Sequence, residues 1–231
     1  MPMTYSLDSA DIETIKKGLE KFPVTAFSMN PSIAARDLKG SDKTFFESIR
    51  EIREVIGEET DFYVQVVGQT VEEMVEDAKT IRENVTGNLY IKIPACANGF
   101  KAIQILKSQG FKIACTAVMD VNQALLAATV GADIIAVYVS RINKNGGDAI
   151  KVLEDIVTAY RQLNCKTAVS AASIKDPLTV EKVALVGVEC VAVSYELLEL
   201  CATHPLTPIT LEGFKKDWES TYGIGKKLSN L

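Results

Sequence analysis

Short runs rich in β-branched and aromatic residues alternate with longer runs of helical periodicity along the whole chain. The strand-like runs are TYSLDS, VTAFSMN, FYVQVV, LYIKIP, KIACTAV, DIIAVYVS, KTAVSAAS and CVAVSY, beginning at Thr4, Val24, Phe62, Leu89, Lys112, Asp133, Lys166 and Cys190. Between them lie amphipathic stretches such as TVEEMVEDAKTIREN, GFKAIQILKSQG, DVNQALLAATVGA and GGDAIKVLEDIVTAYRQLN, where apolar residues recur at helical spacing. Helix punctuation agrees with this reading. Asp120 precedes one helical run, and Gly110, Gly131 and Gly187 stand just past the ends of others. Eight strand–helix units without a Pro/Ser/Gly linker predict one α/β domain over residues 1–231, a (β/α)8 TIM barrel. An open doubly wound sheet is the alternative closure of the same units. Residues 206–223 predict an extra C-terminal helix with Leu211, Phe214, Trp218 and Tyr222 on one stripe. No later segment remains to cover that stripe, so the helix is expected to pack on its own barrel or on a neighbouring subunit.

Side chains alternate along a strand, so in a barrel one parity points inward. Each of the first seven strands carries a polar residue near its C-terminal end: Asp8, Ser28 with Asn30, Gln65, Lys92, Thr116, Tyr138 and Ser173. Active sites of barrels collect at that end. Lys92 is the sharpest case, because a lysine inside LYIKIP sits where a buried strand should be apolar. Its structural reading is a side chain snorkelling to solvent, or half of a buried ion pair with Asp8. Its functional reading is an amine kept from water by Tyr90, Ile91, Ile93 and Pro94, able to attack a carbonyl and form a Schiff base. Asp8 then holds substrate or moves protons, and Tyr138 acts as acid and base. A ring of hydroxyl and amide groups suits a polyhydroxylated substrate such as a sugar. Arg141, Ser173 and Lys175 follow strands six and seven, where barrels often bind phosphate and where arginine suits it; solvated loop cations are the other reading.

Composition narrows the classes of partner. Hydrophobic residues make up 47% and charged residues 24% of the 231 positions, which fits a globular enzyme. A net charge of −5 and a pI near 5.1 argue against nucleic acid or an anionic membrane. The opening MPMTYSLDSADIETIKKG lacks the pattern of a secretion signal, no apolar run reaches a membrane span, and five scattered cysteines suggest reduced thiols. A cytoplasmic protein is expected. His204 reads as a loop residue, and with no HxxH or CxxC a metal site is not expected. GIGKKLS has Ser220 where a phosphate loop needs its first glycine. Cys115 and Cys190 read as core thiols, and REIREVIGEETD as a solvated helix face.

These residues, in this order, resemble the bacterial fructose-6-phosphate aldolases and the small transaldolase-like proteins related to them. The marks are LDSA with Asp8, SMNPS with Asn30, VQVV with Gln65, YIKIP with Lys92, CTAVMDVNQALLAATVGAD with Thr116, VYVSRI with Tyr138 and Arg141, and SAASIK with Ser173. The resemblance implies a cofactor-free, metal-free class I aldolase acting on a sugar phosphate, most plausibly fructose 6-phosphate. Lys92 would form the Schiff base, Asp8 would orient substrate and transfer protons, and Asn30 and Ser28 would bind hydroxyls of the dihydroxyacetone portion. Gln65, Thr116 and Tyr138 would hold a catalytic water, and Arg141 with Ser173 would take the phosphate. Transaldolases proper carry glutamate where Gln65 stands and phenylalanine where Tyr138 stands, so this pair points to the free aldolase. The alternatives are transaldolase activity and a non-catalytic sugar-phosphate-binding barrel. Departures from the family pattern at Met29, Cys96, Asn98, Met119, Val137 and Asn143 are expected to bear on the acceptor side of the pocket. The family also implies a homo-oligomer, a pentamer or a decamer, with the C-terminal helix on a neighbour.

Overall fold

The computed structural model describes residues 3–231. Eight parallel strands close into a barrel in chain order: β1 (Thr4–Asp8), β2 (Val24–Ser28), β3 (Asp61–Gln65), β4 (Leu89–Pro94), β5 (Lys112–Val118), β6 (Ile134–Tyr138), β7 (Ala168–Ala172) and β8 (Cys190–Val193). The open-sheet alternative is thereby excluded, since β8 pairs with β1 from Thr4↔Cys190 to Leu7↔Val193. The helices are α1 (Ile12–Lys21), α2 (Pro31–Asp37), α3 (Phe45–Ile56), α4 (Val71–Asn84), α5 (Ala97–Ser108), α6 (Val121–Thr129), α7 (Val139–Lys144), α8 (Ala149–Gln162), α9 (Pro177–Val186), α10 (Tyr195–Cys201) and α11 (Leu206–Tyr222).

The pleat divides each strand into two working faces. Residues of one parity, including Leu7, Phe27, Phe62, Val64, Ile91, Ile93, Ile113, Ile135, Val137 and Val191, point outward and form one continuous core with the helices. The other parity builds a separate interior cluster low in the barrel from Ala26, Tyr63, Ala114, Ile134 and Cys190. Tyr63 stacks on Tyr90 there with ring centroids 4.7 Å apart. Fully burying one of the large outward residues contributes about 1.5–3 kcal/mol, so the outer face carries the fold. That leaves the upper interior face free to be polar.

Several sequence expectations shift at element ends. Strand six stops at Tyr138 rather than running to Ser140, because Val139 begins α7. Asn30 lies beyond β2 and caps α2, its Oδ1 accepting the Ile33 N–H at 3.0 Å. Arg53, expected on a solvated face, is buried and donates to the carbonyls of Gly57, Thr60 and Asn88 at the foot of the barrel. Helix α11 covers the anticipated 206–223 segment but buries no residue on its own barrel. Phe214 stays 64% exposed and Leu211 59%. Among the described residues, no helix is long and apolar enough to cross a membrane.

The turn after β4 is tightly built. Cys96 caps α5 through its Sγ, and Gly99 packs so close to this turn that an added Cβ would lie 1.9 Å from the Pro94 carbonyl oxygen. Gly99→Ala is therefore expected to cost about 1–3 kcal/mol of stability as an overpacked site. Urea unfolding checks this; a change below about 0.5 kcal/mol, the range of an unconstrained surface position, contradicts it.

Candidate active site

The small residues of the upper interior leave a cavity of about 610 Å³ that opens at the C-terminal ends of the strands. It is lined by Asp8, Ser28, Asn30, Gln65, Lys92, Tyr138, Arg141 and Ser173, so eight of the nine candidates converge on one space. The ninth, Thr116, is fully buried beside it, its Oγ1 donating to the Tyr138 Oη at 3.2 Å. Just after Thr116, a bulge in β5 brings Ala117 into the cavity lining. The β5–β6 register breaks between Cys115 and Val118, and Ala117 adopts φ +58°. Such an extra residue bends the strand and re-aims the side chains beside it. Ser173 is the second strained position, at φ +60°, and its hydroxyl lies 2.6 Å from the Ser140 hydroxyl. Left-handed backbone at a non-glycine residue persists only where its surroundings enforce it.

Lys92 is only 7% exposed. It reaches no solvent by snorkelling, and no ion pair among the described residues includes it. Both structural readings of this lysine therefore fail. Its register neighbours are Gln65 on β3 and Ala114 on β5. The Gln65 Oε1 is buried without a hydrogen-bond partner, an unusual state for an amide oxygen and one that a bound hydroxyl or water would satisfy. Asp8 accepts a short hydrogen bond from the Ser28 hydroxyl. Burial pushes the Asp8 carboxyl above its usual range, while Lys92, the Ser28 hydroxyl, Lys175 and Arg36 pull it back.

The mouth is cationic although the chain is acidic. Arg36, Arg141 and Lys175 line it with Lys92, against Asp8 as the one carboxylate. Arg36 was not singled out in the sequence, although it stands six residues after Asn30 on the helix that Asn30 caps. Its guanidinium is held by Asp37, which also accepts from the Ala10 N–H and the Ser9 hydroxyl. Ser194, after β8, completes the ring and was likewise missed. The signal was present in the sequence, since Ser194 stands at the end of the eighth strand-like run, CVAVSY.

None of the departures expected to shape the pocket lines this cavity. Met29 and Val137 lie in the outward core. Cys96 caps α5, and Asn98 donates to the Gln69 carbonyl. Met119 packs against the outer core, and the Asn143 Oδ1 accepts the Ala149 N–H. The reason is parity and position: these residues face helices or lie in turns beyond the barrel mouth. Of the two thiols expected in the core, Cys115 faces outward, its thiol pushed up to about 12 by burial. Cys190 is buried as well, in the interior cluster, where it forms part of the cavity floor.

Residues 5–228 match the family Transaldolase/Fructose-6-phosphate aldolase. The chain belongs to this family. A probable transaldolase from Clostridium kluyveri is 33% identical over 218 residues, covering 94% of this chain and 98% of that protein. A probable fructose-6-phosphate aldolase from Streptococcus pneumoniae is 32% identical over 216 residues, covering 94% of this chain and 97% of that one. The thiamine phosphate pyrophosphorylase from Pyrococcus furiosus shares the fold with a TM-score of 0.57, over 87% of this chain and 93% of that one, at 17% identity. Family members thus go by two activities, and identity near one third does not choose between them.

Because Asp8 holds its proton more tightly folded than at the unfolded value of 3.8, ionising it costs stability. That cost is absent below pH 3.8, grows as pH rises toward the folded value, and then stays constant. The stability of Asp8→Asn relative to the parent should therefore rise with pH above 3.8 and level off. Thermal melts across pH check this; a relative stability that falls with rising pH contradicts it.

Proposed function

We propose that the protein is a class I aldolase that reversibly cleaves a ketose phosphate, most plausibly fructose 6-phosphate, to dihydroxyacetone and glyceraldehyde 3-phosphate. The observation that carries this is a lysine buried in a sugar-sized polar cavity with no carboxylate partner. The Lys92 Nζ adds to the ketone carbon, and water leaves as the iminium forms. A base then takes the proton of the hydroxyl on the carbon beyond the scissile bond, and that bond breaks to give the aldehyde. Its electron pair is received by the iminium as an enamine, so the reaction needs no other electron sink. Protonation of the enamine carbon and hydrolysis of the iminium release dihydroxyacetone and restore the lysine.

The residues divide this work by their chemistry. Tyr138 is the acid and base, since its phenol can exchange a proton while the Gln65 amide cannot. Thr116, donating to that phenol, fixes its orientation, and the unpaired Gln65 Oε1 holds the catalytic water with them. Asp8 and Ser28 form one hydrogen-bonded unit that positions the donor hydroxyls with Asn30. Arg141 and Ser173 take the phosphate, with Arg36 and Lys175 adding charge of the same sign at the mouth.

The name of the Clostridium relative favours a second reading, in which dihydroxyacetone passes to another sugar instead of being released. Product analysis with fructose 6-phosphate, with and without erythrose 4-phosphate, separates the two. Release of free dihydroxyacetone at a rate the acceptor does not raise is expected; transfer much faster than release contradicts it. Tyr138→Phe should lower turnover about 10²-fold or more, the scale of a lost acid–base group. An unchanged cleavage rate removes tyrosine from that role.

The exposed apolar stripe of α11 is proposed to pack on a neighbouring copy in a pentamer or decamer, since its own barrel leaves it uncovered. Light scattering should give a homo-oligomer, and a monomer contradicts this.

A further inference from the structure

The strands of a closed eight-stranded barrel are staggered by about one residue each, so interior side chains from alternate strands share a level. Followed around this barrel, the registers place Ser28, Lys92, Ala136 and Ala192 on one level. Ser6, Tyr63, Ala114 and Ser170 share the level beneath it, one residue deeper. Such levels are ordinarily filled by bulky branched residues. Here three of the four lower residues are serine or alanine, and the cavity continues down past Lys92 to Ile134 and Cys190. The lysine therefore stands at the side of the cavity with open space below it.

A second observation marks that space as polar. The Ser6 Oγ is buried, with the residue 3% exposed, and it has no hydrogen-bond partner. A buried hydroxyl left unpaired costs free energy that a ligand hydroxyl would recover. The three cations of the mouth lie on segments that follow β2, β6 and β7, so the phosphate end of the substrate points outward. With the carbonyl carbon on Lys92, its other substituent points inward, toward Ser6 and Ser170.

We propose that this lower chamber is a donor subsite for a ketone whose inward arm is longer than the hydroxymethyl of dihydroxyacetone and ends in a hydroxyl bonded to Ser6. The inference rests on the Schiff-base reading of Lys92. In the cleavage direction it names a ketose phosphate with its carbonyl one or two carbons further along the chain. In the synthetic direction Lys92 condenses with the hydroxyketone and water leaves. A proton then leaves the outward hydroxymethyl carbon, which bonds to the aldehyde carbon as the aldehyde oxygen gains a proton. Water hydrolyses the iminium and frees the product.

The test compares aldol addition to glyceraldehyde 3-phosphate by dihydroxyacetone, 1,4-dihydroxybutan-2-one and 1-hydroxybutan-2-one, which has the same length but no terminal hydroxyl. One methylene is worth about 10–200-fold where a pocket discriminates against it. The expected kcat/KM for 1,4-dihydroxybutan-2-one is within about tenfold of dihydroxyacetone, or above it. Ser170→Leu should lower that ratio at least about tenfold by filling the chamber. Ser6→Ala, a milder change, should raise KM for 1,4-dihydroxybutan-2-one and leave KM for 1-hydroxybutan-2-one unchanged. Addition of dihydroxyacetone with the longer ketone more than about tenfold poorer overturns the subsite and leaves the Schiff-base reading standing. So does a ratio that Ser170→Leu leaves unmoved, or a Ser6→Ala variant that treats both four-carbon donors alike. Addition of none of the three donors overturns the free-aldolase reading, and the subsite with it.

Discussion

One constraint organises the molecule: a basic side chain, Lys92, lies buried inside a parallel barrel and makes no direct ion pair among the described residues. Removing such a group from water costs several kcal/mol unless its surroundings compensate. The compensation here is a ring of dipoles and one nearby acid rather than an ion pair. Gln65, Ser28, Asn30 and Tyr138 line the cavity with Lys92, Thr116 supports Tyr138 from behind, and Asp8 is bound to Ser28 instead of to the lysine. A carboxylate locked onto Lys92 would stabilise the resting protein and block the amine. The arrangement seen keeps it unengaged.

That cost is tolerated because strand parity separates stability from chemistry. The outward side chains form a continuous apolar core with the helices, so the inward ones at the top are released from packing duty. The same separation explains why the family departures do not touch the cavity. Met29 and Val137 vary on the outward parity, where a change of shape is absorbed by helix packing. The inward parity also carries the feature that sets this barrel's depth, the serine and alanine level beneath Lys92.

Much of this was legible in the sequence because the two periods, 2 for strands and 3.6 for helices, were cleanly written. The eight strands and the inward polar residues within them follow from alternation, and Asp120 and Gly187 mark helix ends where the structure has them. What could not be read were features set by three-dimensional closure. The β5 bulge that brings Ala117 into the cavity lining depends on a single positive φ at that residue, which has no local signal for it. Arg36 reaches the mouth only because α2 turns directly after Asn30. Arg53 looked like one more charge on an acidic helix, yet it closes three carbonyls beneath the barrel. Cys190 is a core thiol, as its β run predicts, but that its core is the interior cluster under the cavity shows only in the closed barrel. The lower chamber was invisible for the same reason, since no window of sequence shows which residues share a level.

The central claim is that Lys92 is the nucleophile. It is tested most directly by borohydride reduction in the presence of fructose 6-phosphate, followed by peptide mass mapping of the folded protein. Reduction converts the transient C=N bond to a stable amine. The expected result is a single adduct on the peptide containing Lys92. An unmodified Lys92 in a folded protein, or an adduct on a different lysine, contradicts it.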